Sequence, residues 1–414
     1  MLSAYFDPRG RRFRALREGS SGALFDVFAH ALRQAGYPTS TARKHLGAAE
    51  HCLHWTSERQ WSVAELHERS LARFNHHLAR CRCRYRHANR TNVVYGARLF
   101  LQALREAGLI APPAINDGVQ DPALLRAFCR WMHKQRGACE TTLSNYARPI
   151  RALLASLGEE PSRFDARSLR GFVLERSRAS GWAAAKTCTT ALRMFVRFLI
   201  ADGQCAVGLD AAVPTLAHWR LAALPRYLPP DDVARVIDSC DRASPVGRRN
   251  RAILLLLARL GLRAGDIRQM RLSDIDWHGA WIHVRGKSRR VTRLPLTQEV
   301  GDALVAYLQD GRPATQTDAV FVGCRAPFRA FAPGVVPLIV GRALDRAGVA
   351  RPSRGAAHLL RHSVATSMLR HGASLQEIGT LLRHRSIETT QIYAKVDVLA
   401  LRQIAQPWPE VQPC

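Results

Sequence analysis

The chain has 414 residues, which at about 150 residues per domain argues for two or three domains, and its 47% hydrophobic and 23% charged residues are ordinary for a folded globular protein. No uninterrupted apolar run approaches the ~20 residues needed to cross a bilayer. Residues 1–20 hold five arginines but no apolar signal core, and ten scattered cysteines fit reduced thiols, so secreted and membrane-spanning classes are excluded and a cytoplasmic location is expected.

The charge is the first positive sign: 61 basic against 33 acidic residues give +28. Such a surplus points to a polyanionic partner, most often nucleic acid, because released counterions drive phosphate binding. Only Lys44, Lys134, Lys186, Lys287 and Lys395 are lysines, so a codon bias toward arginine also accounts for part of the composition. A lysine at a chemical position stands out on this background.

In chain order, apolar residues recur at helical spacing from about 22 to 109, as in Leu24, Val27, Phe28 and Leu32. The segment 111–118, with Pro112, Pro113 and Gly118, reads as a linker. Helical spacing resumes from 122 to 203, with Leu124, Leu125, Phe128 and Trp131 on one stripe, and Pro214 and Pro225 mark a second linker. The two helical stretches look like weak copies of a four- or five-helix unit. Gly36, Thr41 and His45 parallel Gly137, Thr142 and Tyr146; Arg69-Ser70-Leu71 with Phe74 parallels Arg167-Ser168-Leu169 with Phe172; and the Arg98 block with Gly108 parallels the Arg193 block with Gly203.

Beyond the second linker the pattern mixes helices and short strands. Pro229, Pro230 and Asp231 suit a helix start, 250–260 is an apolar helix ending at Gly261, and 281–284 and 291–295 read as strands around a polar turn holding Lys287. A helix over 357–370 carries Leu360, Val364 and Met368; Ser374 and Glu377 form a capping box for the next; and another is expected from Ser386, carrying Tyr393.

The polar residues left over are Arg263 and Asp266 after a buried helix, Lys287 on a hairpin, His358 and Arg361 three apart on one helix face, His384 and Tyr393. Two arginines, a lysine, two histidines and a tyrosine without a carboxylate pair make no metal cage, but they suit a phosphate diester. Guanidinium forks match the charge that builds on two non-bridging oxygens. A tyrosine attacks phosphorus once a base takes its proton, and a lysine on a hairpin can protonate the expelled hydroxyl. No cofactor is expected. Singly, Tyr393 reads as a core tyrosine, His358 as a helix cap and Lys287 as a turn lysine; their joint order carries the inference.

Residues 228–406 resemble the catalytic domain of the tyrosine recombinases, the phage integrase family. The resemblance rests on Gly261-Leu262-Arg263-Ala264-Gly265-Asp266-Ile267, Gly286-Lys287, His358-Leu359-Leu360-Arg361-His362, Leu382-Arg383-His384-Arg385-Ser386 and Tyr393. Two positions depart from the usual pattern: Arg383 where many members have glycine, and Asp266 where glutamate is commoner. The resemblance implies Tyr393 as nucleophile, Arg263 and Arg361 as phosphate clamps, Lys287 as general acid, His358 as acceptor of the tyrosine proton, His384 as a phosphate hydrogen-bond donor and Asp266 as an orienting residue. It implies a mainly α fold with a small antiparallel β-sheet in the catalytic domain. The organisation it suggests is an N-terminal helical DNA-binding domain over 1–112, a SAM-like core-binding domain over 115–215, a catalytic domain over 225–406 and a tail over 407–414. Expected partners are double-stranded DNA and a homotetramer built as a dimer of dimers, with other recombinases as further candidates. The helix over 399–405 would dock into a neighbouring subunit. The activity implied is strand exchange through a 3′-phosphotyrosine link during movement of a mobile element, transposon-encoded recombinases included; a type IB topoisomerase and a DNA-binding accessory protein with a decayed site are the alternatives.

One stretch falls outside this scheme. His76, His77, Cys81, Cys83 and His87 include zinc-type ligands, but no second Cys pair stands at finger spacing and no metal is expected. The same stretch holds Arg80, Arg82, Arg84, Arg86 and Arg90 with Tyr85 and no acid, which reads equally as a DNA-contacting face or a solvated one.

Overall fold

The computed structural model describes residues 1–19, 21–83, 85, 89–112, 121–216, 224–286, 291–352, 355–384, 386–396 and 401–402. The chain divides into two compact units, one of residues 1–113 with 223–414 and one of 114–222.

After α1 (Arg11–Arg17), four helices follow: α2 (Gly22–Gln34), α3 (Thr39–Ser57), α4 (Glu68–Leu78) and α5 (Arg90–Glu106). The second unit has four in the same order: α6 (Ala123–Arg136), α7 (Glu140–Leu157), α8 (Ala166–Ala179) and α9 (Trp182–Ala201). The sequence parallels fall at corresponding places in the two sets. Gly36 and Gly137 take φ +74° and +56° just after α2 and α6, and Gly108 and Gly203 take +71° and +72° just after α5 and α9. Left-handed backbone is where glycine ends a helix without a Cβ penalty. A 3₁₀ turn precedes α4 at Val63–Glu65 and α8 at Pro161–Arg163. His67 and Asp165 each accept the backbone N–H three residues on, at Ser70 and Ser168. Phe74 and Phe172, and Phe100 and Phe195, are buried in two separate hydrophobic clusters.

The C-terminal region runs α10 (Pro230–Asp238), α11 (Pro245–Ala258), α12 (Ala264–Gln269), β1 (Ile275–Asp276), β2 (Trp281–Arg285), β3 (Val291–Pro295), α13 (Gln298–Asp310), α14 (Val335–Arg346), α15 (Ala356–Arg370) and α16 (Leu375–Leu381). The strands form an antiparallel sheet in the order β1-β2-β3, with Trp281 opposite Pro295 and Arg285 opposite Val291. The architecture is mainly helical with one small antiparallel sheet, as the sequence leads one to expect. Helix α11 is its central rod: Ser244 caps it by accepting the Gly247 N–H, and every residue from 252 to 258 is buried. Burying such side chains contributes about 1.5–3 kcal/mol each for the larger ones, which fixes the end of α11 and hence the residues that follow it.

Two expectations need amendment. The segment from Ser386 is not an α-helix: it forms two 3₁₀ turns, Ile387–Thr389 and Gln391–Val396. Ser386 caps the first by accepting the Glu388 N–H, and the adjacent β-branched Thr389 and Thr390 disfavour continued α-helix. Of the docking helix expected over 399–405, only Leu401 and Arg402 are among the described residues, and both are helical. The 407–414 tail lies outside them.

Candidate active site

Helix α11 ends at Ala258, and three residues on Gly261 takes φ +58°, the left-handed conformation that favours glycine, with the place of a Cβ 2.7 Å from Leu382 Cδ2. The turn aims the Gly261 carbonyl at α15. There Arg361, 5% exposed, donates from Nη1 to that carbonyl and from Nη2 to the Leu382 carbonyl. One guanidinium thus ties the turn after α11 to the end of α16, and among the described residues three of its five N–H groups remain for another acceptor.

Arg263 sits at the N-cap of α12. Its backbone N–H donates to Asp266 Oδ2 at 2.9 Å, and its Nη2 lies 3.4 Å from the Leu382 carbonyl and 3.3 Å from that of Arg383. A third guanidinium joins them. Arg383 Nη2 donates to the same Asp266 oxygen at 2.8 Å, with both side chains only 7–8% exposed. Its backbone takes φ +53°, the left-handed conformation for which glycine is the usual choice. Nε and Nη1 of Arg383 are buried and have no hydrogen-bond partner among the described residues. Asp266, expected to orient an arginine, holds two. Arg383 stands out in the sequence only as a departure from a pattern, and nothing local announces its pairing 117 residues away.

Tyr393 is 1% exposed and packs with Ala365, Leu369, Ile378 and Leu382. Its hydroxyl lies 2.8 Å from Nδ1 of His362. The phenol therefore contacts the second histidine of the His358–His362 motif rather than His358, which is exposed in the first turn of α15. The spacing of four puts both on one helix face, but only the later one reaches the buried ring. His384 Nδ1 lies 2.8 Å from the Oγ1 of Thr390, itself fully buried three residues before Tyr393. An imidazole accepting from Thr390 at Nδ1 carries its proton on Nε2, the tautomer able to donate to a phosphate oxygen. Lys287 lies outside the described residues; the strands on either side end at Arg285 and begin again at Val291.

The electrostatics are those of an anion site. Burial pulls Arg361 down to about 9, still charged at neutral pH, and the neighbouring Arg263 and Arg383 push the same way. Arg263 is lowered by burial and by Arg383, with Asp266 opposing. Burial followed by the arginine charges holds His384 at about 4, and burial with His358 and Arg361 holds His362 at about 4. Burial raises the Tyr393 hydroxyl to about 12 while Arg361 lowers it. Like charges crowded around one carboxylate are relieved by an incoming anion.

A stability consequence follows from the two histidines. In the unfolded chain they take up protons below about 6.5, whereas folded they stay neutral to about 4. Between those limits the unfolded state binds more protons, so stability falls as pH drops through the window and is unaffected by these groups above it. Urea midpoints should fall from pH 6.5 toward 4.5, and the fall should be shallower in His362→Phe; identical profiles for both proteins would contradict the assignment.

The arginines at 80–90, read equally as a DNA-contacting or a solvated face, fall partly within the described residues. Arg80, Arg82 and Arg90 are exposed, with Arg90 Nε donating to Asn75 Oδ1 at 2.7 Å; Arg84 and Arg86 lie outside the described residues. In the second unit a broad basic groove is lined by Arg126, Arg130, Lys134, Arg148 and Arg176, with Asp121 and Glu140 its acids.

A buried arginine cluster beside a tyrosine and two neutral imidazoles, carried on a helical scaffold with one small sheet, has the chemistry to bind a phosphodiester. Residues 226–399 match the model of the phage integrase family. The chain is 40% identical over 303 residues to the integrase/recombinase y4rA of Sinorhizobium fredii, covering 72% of each. It is 31% identical over 419 residues to y4rF of the same organism, covering 99% of this chain and 96% of that one. It is 32% identical to the tyrosine recombinase XerD of Mycobacterium tuberculosis, covering 68% and 95%. Among solved structures, XerH bound to its difH substrate is similar in fold, with a TM-score of 0.56 at 18% identity over 82% of this chain and 95% of that one. A lambda integrase fragment bound to a core site gives 0.53 at 20% identity over 70% and 99%. The chain belongs to the phage integrase family, the tyrosine recombinases, enzymes that cut and rejoin DNA strands.

Proposed function

We propose that the chain is a site-specific recombinase that cuts double-stranded DNA by attack of Tyr393 on a phosphodiester, leaving a 3′-phosphotyrosine and a free 5′-hydroxyl. The convergence of Arg263 and Arg361 at the Leu382 carbonyl, beside Tyr393, is the observation that carries this reading. Their unused donors bind the non-bridging oxygens, and His384 donates from Nε2. The phenol proton passes to an imidazole of α15: His358 is the acceptor that the family pattern assigns, and His362 is the partner that holds the buried ring. Lys287 protonates the leaving hydroxyl. The phosphoester energy is kept in the tyrosine link, so rejoining needs no nucleotide.

A phenol 1% exposed cannot reach a phosphate in a duplex, so its 3₁₀ segment moves on DNA. The XerH and lambda integrase structures are DNA complexes, and one lambda integrase structure is a tetramer on a Holliday junction. Those likenesses support a duplex DNA partner and a tetramer of this chain, acting in integration or excision of a mobile element. The basic groove of the second unit and the arginines at 80–90 supply further phosphate contacts, and the N-terminal helices over 1–112 form a DNA-binding module of their own.

A suicide substrate nicked beside the cleavage point tests the chemistry. Wild type should accumulate a covalent protein–DNA adduct and Tyr393→Phe none; an adduct formed by the variant would remove the nucleophile assignment. Exchange between two defined duplexes, rather than relaxation of any supercoiled plasmid, should accompany it. For the arginine stretch, replacing Arg80, Arg82 and Arg90 by glutamine should flatten the dependence of log affinity on log salt by roughly 0.9 for each phosphate that is no longer neutralised. An unchanged slope would assign these residues to solvent.

A further inference from the structure

We propose that His51, His77, Cys81 and Cys83 bind one zinc ion that clamps the arginine-bearing segment between α4 and α5 onto α3. The proposal stands apart from the catalytic reading and uses none of its residues.

The four side chains come from three places: His51 from the middle of α3, His77 from the last turn of α4, and the two cysteines from the segment that follows. Their ligand atoms all lie within 4.8 Å of one another. His51 Nε2 is 3.4 Å from Cys81 Sγ, and His77 Nε2 is 3.6 Å from Cys83 Sγ. A tetrahedral zinc with Zn–S of about 2.3 Å and Zn–N of about 2.0–2.1 Å has N···S edges of roughly 3.6 Å and an S···S edge of roughly 3.8 Å. Both N···S pairs are near that edge, and the other pairs, all within 4.8 Å, close onto an ion as the side chains rotate. Two imidazoles and two thiols with no carboxylate are the donor set of a closed structural zinc site.

The surroundings fit the same role. The Cys83 backbone N–H donates to Cys81 Sγ at 3.3 Å, an outer hydrogen bond of the kind that orients a metal-ligating sulfur. Tyr85 stacks on the His51 ring at 4.8 Å between centroids, Phe74 meets it edge-on at 5.3 Å, and Trp55 lies 6.0 Å from the His77 ring. These aromatic rings pack against both ligand imidazoles and help to fix their orientation.

Comparison of the two four-helix sets shows why a clamp is useful. The α8–α9 connection is residues 180–181, whereas the α4–α5 connection spans 79–89. Along the longer one, Arg80 and Arg82 are exposed while Cys81, Cys83 and Tyr85 are half-buried. Cysteines turned inward at alternate positions hold the arginines outward. The sequence alone argues against a metal here, because no second Cys pair stands at finger spacing. The missing ligand is His51, thirty residues upstream of Cys81 and fully buried, while His76 is exposed and His87 lies outside the described residues.

The test is metal content and cobalt spectroscopy on the full chain. Wild type should carry about one zinc per chain, and cobalt replacing it should give a thiolate-to-metal charge-transfer band with the intense d–d bands of a tetrahedral site. In Cys81→Ser/Cys83→Ser bound metal should fall at least about tenfold with loss of the thiolate band, while Cys139→Ser/Cys324→Ser, which alters two exposed cysteines, should keep both. Metal retained by the first double variant would overturn the proposal. Should that variant be insoluble, wild type decides alone, because no thiolate band at saturating cobalt would equally overturn it.

Discussion

Replacing Arg361 by lysine is expected to slow covalent adduct formation by about 10²–10³-fold, the cost of losing one preorganised donor to a charged transition state. The reason lies in geometry rather than charge, which lysine keeps. Arg361 places one nitrogen on the Gly261 carbonyl and another on the Leu382 carbonyl, and still has donors for phosphate. A single ammonium cannot bridge two carbonyls on different loops and also present a fork to an anion. A buried carbonyl left without a donor costs about 1–3 kcal/mol, so the urea midpoint should fall along with the rate. Arg263→Lys should show the rate loss with a smaller stability loss, because Arg263 is only partly buried and its carbonyl contacts are longer, at 3.3 and 3.4 Å. Adduct formation by Arg361→Lys within tenfold of wild type would show that the guanidinium serves the scaffold alone.

The sequence exposes those parts of the site whose causes are local. The strands expected over 281–284 and 291–295, the Ser374–Glu377 capping box and the turn at Gly261 are each written in a few consecutive residues and stand close to where the pattern puts them, although β2 runs to 285 and α11 spans 245–258 rather than 250–260. The parallel between the two helical sets is legible for the same reason, since its glycines and caps are short-range devices. What the sequence hides is pairing between distant positions. His362 stands beside Arg361 in the motif, yet only the packing of α15 against the 3₁₀ segment tells which histidine meets the phenol. The same holds for His51 beside Cys81, whose contact depends on how α3 lies against the α4–α5 segment. The end of the site misleads for a different reason: a segment of 3₁₀ turns shares the short-range caps of an α-helix, and Ser386 caps either.

Asp266→Ala is expected to destabilise the chain by about 3–5 kcal/mol, because it strands the Arg383 guanidinium as a buried charge without its partner. Both side chains are 7–8% exposed, so water cannot readily take the place of the carboxylate. The same substitution removes the acceptor of the Arg263 N–H and so loosens the start of α12. Arg383→Gly should behave differently. Glycine suits φ +53° better than arginine does, and Asp266 keeps its bond to the Arg263 backbone. The double variant Asp266→Ala/Arg383→Gly should therefore be more stable than Asp266→Ala alone, since the unpaired charge goes with the side chain; a double variant no more stable than the single one would refute the stranded-charge account. The glycine variant also separates scaffold from chemistry. Arg383 has two buried nitrogens without acceptors among the described residues, beside Arg263 and Arg361, and one charge-assisted bond to the scissile phosphate is worth about 1.5 kcal/mol or more. Adduct formation by Arg383→Gly should then be about tenfold slower, and an unchanged rate would confine Arg383 to holding Asp266.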